Sequence, residues 1–148
     1  MSKIVTYKGK LPIGEQEKIH LSTNNGLTGY RIKDFRVIAS NVGAGTSTNV
    51  AKIYLTDQTG NITSTIDFSD TDLIGVSYAN FSSSVNSPTY ETIIFDKETF
   101  NQDIFVYITD PDSGTTPSNF YIELEKFPID LNTSTYHTLK NIRSKTQI

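Results

Sequence analysis

Apolar and polar residues alternate along nearly the whole chain, and this two-residue period predicts strands rather than helices. Ile4, Val5 and Tyr7 open a short strand, and a turn-rich stretch at 9–14 follows, with Pro12 between two glycines. Ile19 and Leu21 share one face of a second strand at 18–22. Asn24, Asn25 and Gly26 then mark a turn, because Asn and Gly tolerate positive φ. In the long strand at 30–40, Tyr30 and Ile32 share one parity and Phe35, Val37 and Ala39 the other. A strand changes face only by inserting a residue, so a β-bulge is predicted at Lys33 and Asp34.

Further strands are predicted at 50–56, 65–68, 73–79, 89–96, 103–109 and 120–126. Loops at 41–49, 80–88 and 110–119 and turns at 57–61 and 97–102 separate them, and Asp70 and Asp72 form an acidic corner. The expected core is Phe35, Val37, Ile53, Leu55, Ile74, Val76, Ile93, Phe95, Ile104, Val106, Ile108, Ile122 and Leu124. Phe105 and Tyr107 are as apolar as their neighbours, which leaves the inward parity of 104–109 open and suits a strand covered on both faces, either as a central strand or at an oligomer contact. Eight or nine strands at this spacing predict an all-β fold, an antiparallel β-sandwich of jelly-roll or similar topology over 1–130. Residues 131–148 form a basic tail or short helix, capped by Asn132 or Thr133, with Tyr136, Leu139 and Ile142 at spacing three. Lys140, Arg143 and Lys145 suit its C-terminal end.

Composition supports strands: eight Phe, eight Tyr and abundant Thr, Ser and Asn suit a pleated sheet and its corners. At 148 residues the chain has room for one well-buried core. It has no cysteine, which rules out disulfides and thiolate chemistry. Neither a secretion signal nor a membrane-spanning run is apparent, so folding in a cytoplasm is expected.

Charge is divided unevenly. Residues 1–36 carry seven Lys/Arg against three Asp/Glu, residues 37–130 three against thirteen, and residues 131–148 three against none. Basic ends on an acidic body suit either solubility or contact with an acidic neighbour such as another copy of the chain. The acidic body would repel nucleic acid.

Candidate chemistry is sparse. His20 and His137 lie at opposite ends of the sequence and do not suggest a zinc set. Asp67, Asp70 and Asp72 at one corner, and Asp110 and Asp112 at another, have the hard oxygens that calcium takes, though Asx turns use the same residues. No Gly-x-Ser-x-Gly elbow is present, and Gly43-Ala44-Gly45 lacks the Gly-Lys-Ser/Thr of a phosphate loop. Glu91, Glu98, Glu123 and Glu125 could supply paired carboxylates, but Glu123 and Glu125 alternate with core residues and so point outward. Neither enzyme nor cofactor is expected. The presence of Tyr, Asn and Asp, which sugar-binding sandwiches present from loops, leaves a carbohydrate-binding module as an alternative. Tyr78, Tyr90, Tyr107 and Tyr121 lie on strands, however, where packing is the default role, and no Trp is available as a sugar platform.

Several segments resemble small virion proteins of marine tailed bacteriophages. They are Gly29-Tyr30-Arg31-Ile32, Leu73-Ile74-Gly75-Val76, Ile94-Phe95-Asp96, and Phe100-Asn101-Gln102-Asp103-Ile104-Phe105-Val106-Tyr107. Phe120-Tyr121-Ile122-Glu123-Leu124-Glu125, Ser134-Thr135-Tyr136 and Leu139-Lys140-Asn141-Ile142-Arg143 extend the resemblance over roughly 1–145. It implies a structural bacteriophage protein located in the virion, most often a head decoration (cement) protein and less often a tail or head–tail connector component. The implied partners are the major capsid protein and other copies of the chain in a homo-oligomer, with neither nucleic acid nor membrane. The family supplies no functional residues to carry over. From the residues themselves, Ile4, Val5 and Tyr7 at one end and Tyr136, Leu139, Ile142, Arg143 and Lys145 at the other are the candidate partner-binding arms. Ile4, Val5 and Tyr7 could equally be an edge strand of the chain's own sheet.

Overall fold

The structure is a computed structural model that describes residues 2–23, 25–40, 47–81, 89–112 and 114–146. The strands are β1 (Lys3–Leu11), β2 (Gln16–Ile19), β3 (Thr28–Ala39), β4 (Ser47–Tyr54), β5 (Leu73–Phe81), β6 (Thr89–Ile94), β7 (Ile104–Thr109) and β8 (Ser118–Pro128); helix α1 (Leu131–Thr146) follows. They form two antiparallel sheets, one ordered β1-β8-β3 and the other β2-β7-β4-β5-β6. First pairs with last, second with seventh and fourth with fifth, the winding of a jelly roll. β6 departs from that winding, bonding to β5 rather than to β3.

Alternate residues of the two sheets meet in one core that includes Ile32, Phe35, Ile53, Ile74, Val106, Ile122 and Leu124, all at most 1% exposed. The bulge falls where the parity switch requires it. Ile32 pairs with Leu124 and Asp34 with Glu123, which leaves Lys33 as the extra residue. The Asp34 carboxylate braces the kink, accepting from the Phe35 amide and the Arg36 guanidinium, both at 2.9 Å. β7 is buried at every position, as its apolar run predicts.

The other face of the five-stranded sheet is covered as well. Residues 57–72 cross it as irregular chain, and Ile62 packs with Phe95 on Tyr54, Leu73, Val76 and Tyr107. Hydrogen bonds fix the crossing: Tyr107 Oη donates to the Thr63 carbonyl, Ser64 Oγ to Thr109 Oγ1, and Lys52 Nζ to the Thr65 carbonyl. Burial, with the neighbouring Tyr107, pushes the Tyr54 hydroxyl far above the ordinary tyrosine range, so it stays neutral. Lys52 is 1% exposed, its Nζ 5.4 Å from the centroid of the Tyr107 ring. Among the described residues Lys52 has no carboxylate partner, and a buried amine without one is costly to desolvate, while the exposed Thr65 can turn to water. Lys52→Met is therefore expected to unfold at the same urea midpoint as the wild type or a higher one.

Beneath β2, Asp103 Oδ1 accepts from the amides of Leu21 (2.7 Å) and Ser22 (2.9 Å), and Oδ2 lies 3.5 Å from Lys18 Nζ. Burial pushes this carboxyl up, but the Ser22 and Leu21 amides, the Ser22 hydroxyl and Lys18 together hold it below the usual range. Its stabilisation is complete above the unfolded-state pKa of about 3.9 and disappears as pH falls through the lower folded value. Asp103→Asn should lower the urea midpoint at neutral pH and flatten the acid limb of a urea-midpoint-against-pH profile, its curve converging on that of the wild type below about pH 4.

Several expectations are corrected. Of the two readings of residues 4–7, the edge strand holds and the free arm does not: they lie within β1, with Val5 and Tyr7 packed on the core. Gly9 belongs to that strand and not to a turn. A Cβ there would meet the Phe120 ring at 2.9 Å, so the residue serves a close approach, and the turn follows at Ile13 and Gly14 (φ 83°). The second strand is β2 at Gln16–Ile19, which starts two residues before and ends three residues before the expected 18–22. Residues 65–68 are not a strand, since their backbone runs over the outer face, where sheet pairing is already complete, and Ile66 and Phe68 point to solvent. Val76 and Phe95 belong to the outer cluster, and Ile93 lies exposed on edge strand β6. β4 and β5 each reach further than expected, into the loops predicted at 41–49 and 80–88. The remainder of those two loops, 41–46 and 82–88, and Asn24 of the first turn fall outside the described residues.

Candidate interaction surfaces

Helix α1 is capped by Asp130, not by Asn132 or Thr133. The Asp130 carboxylate accepts from the Thr133 amide at 2.7 Å and its carbonyl from the Ser134 amide at 2.9 Å. One buried side chain ties the helix to the body. Asn101, 1% exposed, directs its amide nitrogen at the Gly26 carbonyl (3.1 Å), Thr138 Oγ1 (3.3 Å) and both the carbonyl and Oγ of Ser134 (3.4 Å each). His137 Nε2 and Thr99 Oγ1 add a contact at 2.8 Å.

The helix is thereby inverted. Ser134, His137 and Thr138 face the body, while Leu131, Tyr136 and Leu139 stand 70%, 62% and 57% exposed. Amphipathic helices ordinarily bury their apolar stripe, so three large apolar side chains on the outer side form an unmet surface. Ile142, Arg143 and Lys145 lie on the same helix, with side chains outside the described residues. Asn101→Ala would leave buried acceptors unpaired and release the helix. A loss of about 1–3 kcal/mol is expected, with faster amide exchange at 131–139 than elsewhere in the chain.

β1 contributes a second surface. It is an edge strand nine residues long, with Ile4 outward and 49% exposed, and lysines at 3, 8 and 10 of the kind that discourage indiscriminate edge pairing. Beside it, the outer face of the three-stranded sheet holds a groove of about 490 Å³, lined by Lys8, Lys10, Arg36, Ile38, Asn119 and Tyr121 over the backbone of Gly9 and Phe120. Among the described residues no lining side chain is a carboxylate; Arg36 and Tyr121 each reach one outside the groove, Asp34 and Glu123.

The aspartates at both corners hold turns. Asp67 Oδ1 accepts from the amide and hydroxyl of Ser69, Asp70 Oδ1 from the Asp72 amide, and Asp72 Oδ2 from Thr56. Asp110 Oδ1 accepts from the Asp112 amide, and Asp112 Oδ2 from Thr48. Among the described residues, no three His, Asp or Glu side chains gather as a metal site would require. His20 Nδ1 lies 3.8 Å from the Asp103 carboxylate, and His137 lies on α1 against Thr99. Sequence reasoning singled out Tyr136 and Leu139 but missed Leu131, the groove and Asn101. Asn101 alone had a readable signal, as an amide in a predicted turn before an apolar strand.

Compared with models of known protein families and with curated proteins, the sequence matches none of either.

Proposed function

We propose that the protein is a structural virion component, a decoration or cement protein that binds the assembled head shell of a tailed bacteriophage and stiffens it. The observation that carries this reading is the inverted helix: a rigid body anchors α1 by its polar side and holds Leu131, Tyr136 and Leu139 toward a partner. An apolar stripe displayed on a helix is a recurrent docking element, and the basic residues Lys140, Arg143 and Lys145 extend it by sequence. A shell offers the same site many times, so a modest contact suffices at each. The resemblance of the sequence to small virion proteins of marine phages points the same way. The test is to add purified protein to assembled shells that lack it. Saturable binding and a higher shell melting temperature are expected, and absence of binding overturns the proposal.

A further inference from the structure

We infer that the basic groove on the three-stranded sheet receives the acidic segment 57–72 of a second copy, giving a head-to-tail contact between opposite faces of the sandwich. This rests on reading the chain as an assembly module and names one partner for it. The groove is a local inversion of charge, because Lys8, Lys10 and Arg36, the last paired with Asp34 beside it, sit on a body whose residues 37–130 are strongly acidic. The complementary surface is the segment crossing the other sheet. Residues 57–72 contain four aspartates and no lysine or arginine. Ile66 and Phe68 stand out from it, 43% and 54% exposed on either side of Asp67, with Phe68 edge-on to Phe95 at 5.6 Å between centroids. Asp67 Oδ1 is engaged with Ser69, and the side chain remains exposed and available to a cation.

Shape agrees with charge. The groove is concave, with Tyr121 between Lys8 and Arg36 and Ile38 across Asn119 from Lys10, while the segment crosses the outer face of the other sheet and carries an aromatic ring beside a carboxylate. Since the two surfaces lie on different sheets, each copy can donate one and receive one. Such a heterologous contact closes into a ring or continues as an array.

Sedimentation velocity of the full chain over a concentration series tests this contact without any shell present. The wild type should self-associate and do so less as salt rises. Lys8→Glu with Lys10→Glu, on an exposed edge strand, should weaken association by at least about tenfold. Asp67→Asn with Phe68→Ala should do the same, the asparagine keeping the oxygen that Ser69 needs. Mixed together, the two variants retain one intact groove and one intact segment and should form a 1:1 pair and nothing larger. A wild type that stays monomeric, or variants that associate as it does, overturns the contact. Retention of a sulfated oligosaccharide by a monomeric wild type would assign the groove to a foreign polyanion and likewise overturn it. A chain that coats shells but never self-associates would refute this contact alone; one that self-associates but ignores shells would refute the shell proposal alone.

Discussion

Replacing Leu131, Tyr136 and Leu139 together by glutamine should abolish binding to shells while leaving the melting temperature of the isolated protein nearly unchanged. Glutamine forms helices almost as well as leucine, and the three positions are exposed, so the fold loses little. The partner contact loses much more. Burying a large apolar side chain contributes about 1.5–3 kcal/mol, and half the combined effect of three weakens each contact by about fiftyfold to two-thousandfold. Pelleting the variant with shells reads the loss directly, and thermal unfolding confirms that the body is intact. If the variant binds as well as the wild type, the helix is not the docking element.

Phe35→Ala should be the most damaging single change to the fold, costing about 3–5 kcal/mol. Phe35 is fully buried just after the bulge, pairs with Ile122 on β8, and reaches across the sandwich to the backbone of Gly75 on β5. Removing its ring leaves a cavity between the sheets at the point where the bulge has set the inward parity of Val37 and Ala39. The urea midpoint should fall sharply. A change below about 1 kcal/mol would mean that the site collapses or that the parity is wrong.

The bulge itself was legible because a two-residue period leaves no other way to bring both Ile32 and Phe35 inward. The same rule misread Ile66 and Phe68. Their alternation is that of a strand, but the partners of this segment are Lys52, Tyr107 and Thr109, brought beneath it only by the finished sheet. Lys52 was illegible for the same reason: alternation places it on the outer face, and the covering segment buries it. Gly9 looked like turn chemistry because glycine serves both turns and close approaches, and only the Phe120 ring distinguishes them. At the helix, spacing three correctly picked out Tyr136 and Leu139 as one stripe. Which way that stripe faces depends on Asn101, which contacts the helix from about thirty residues upstream.

Hydroxyl-radical footprinting of the protein, free and bound to shells, probes the outward helix face most directly. Leu131, Tyr136 and Leu139 should react readily in the free protein and become protected on the shell, with Phe35 and Ile122 unreactive in both. Protection of the three in the free protein, or unchanged reactivity once bound, would contradict a docking face held outward by Asn101.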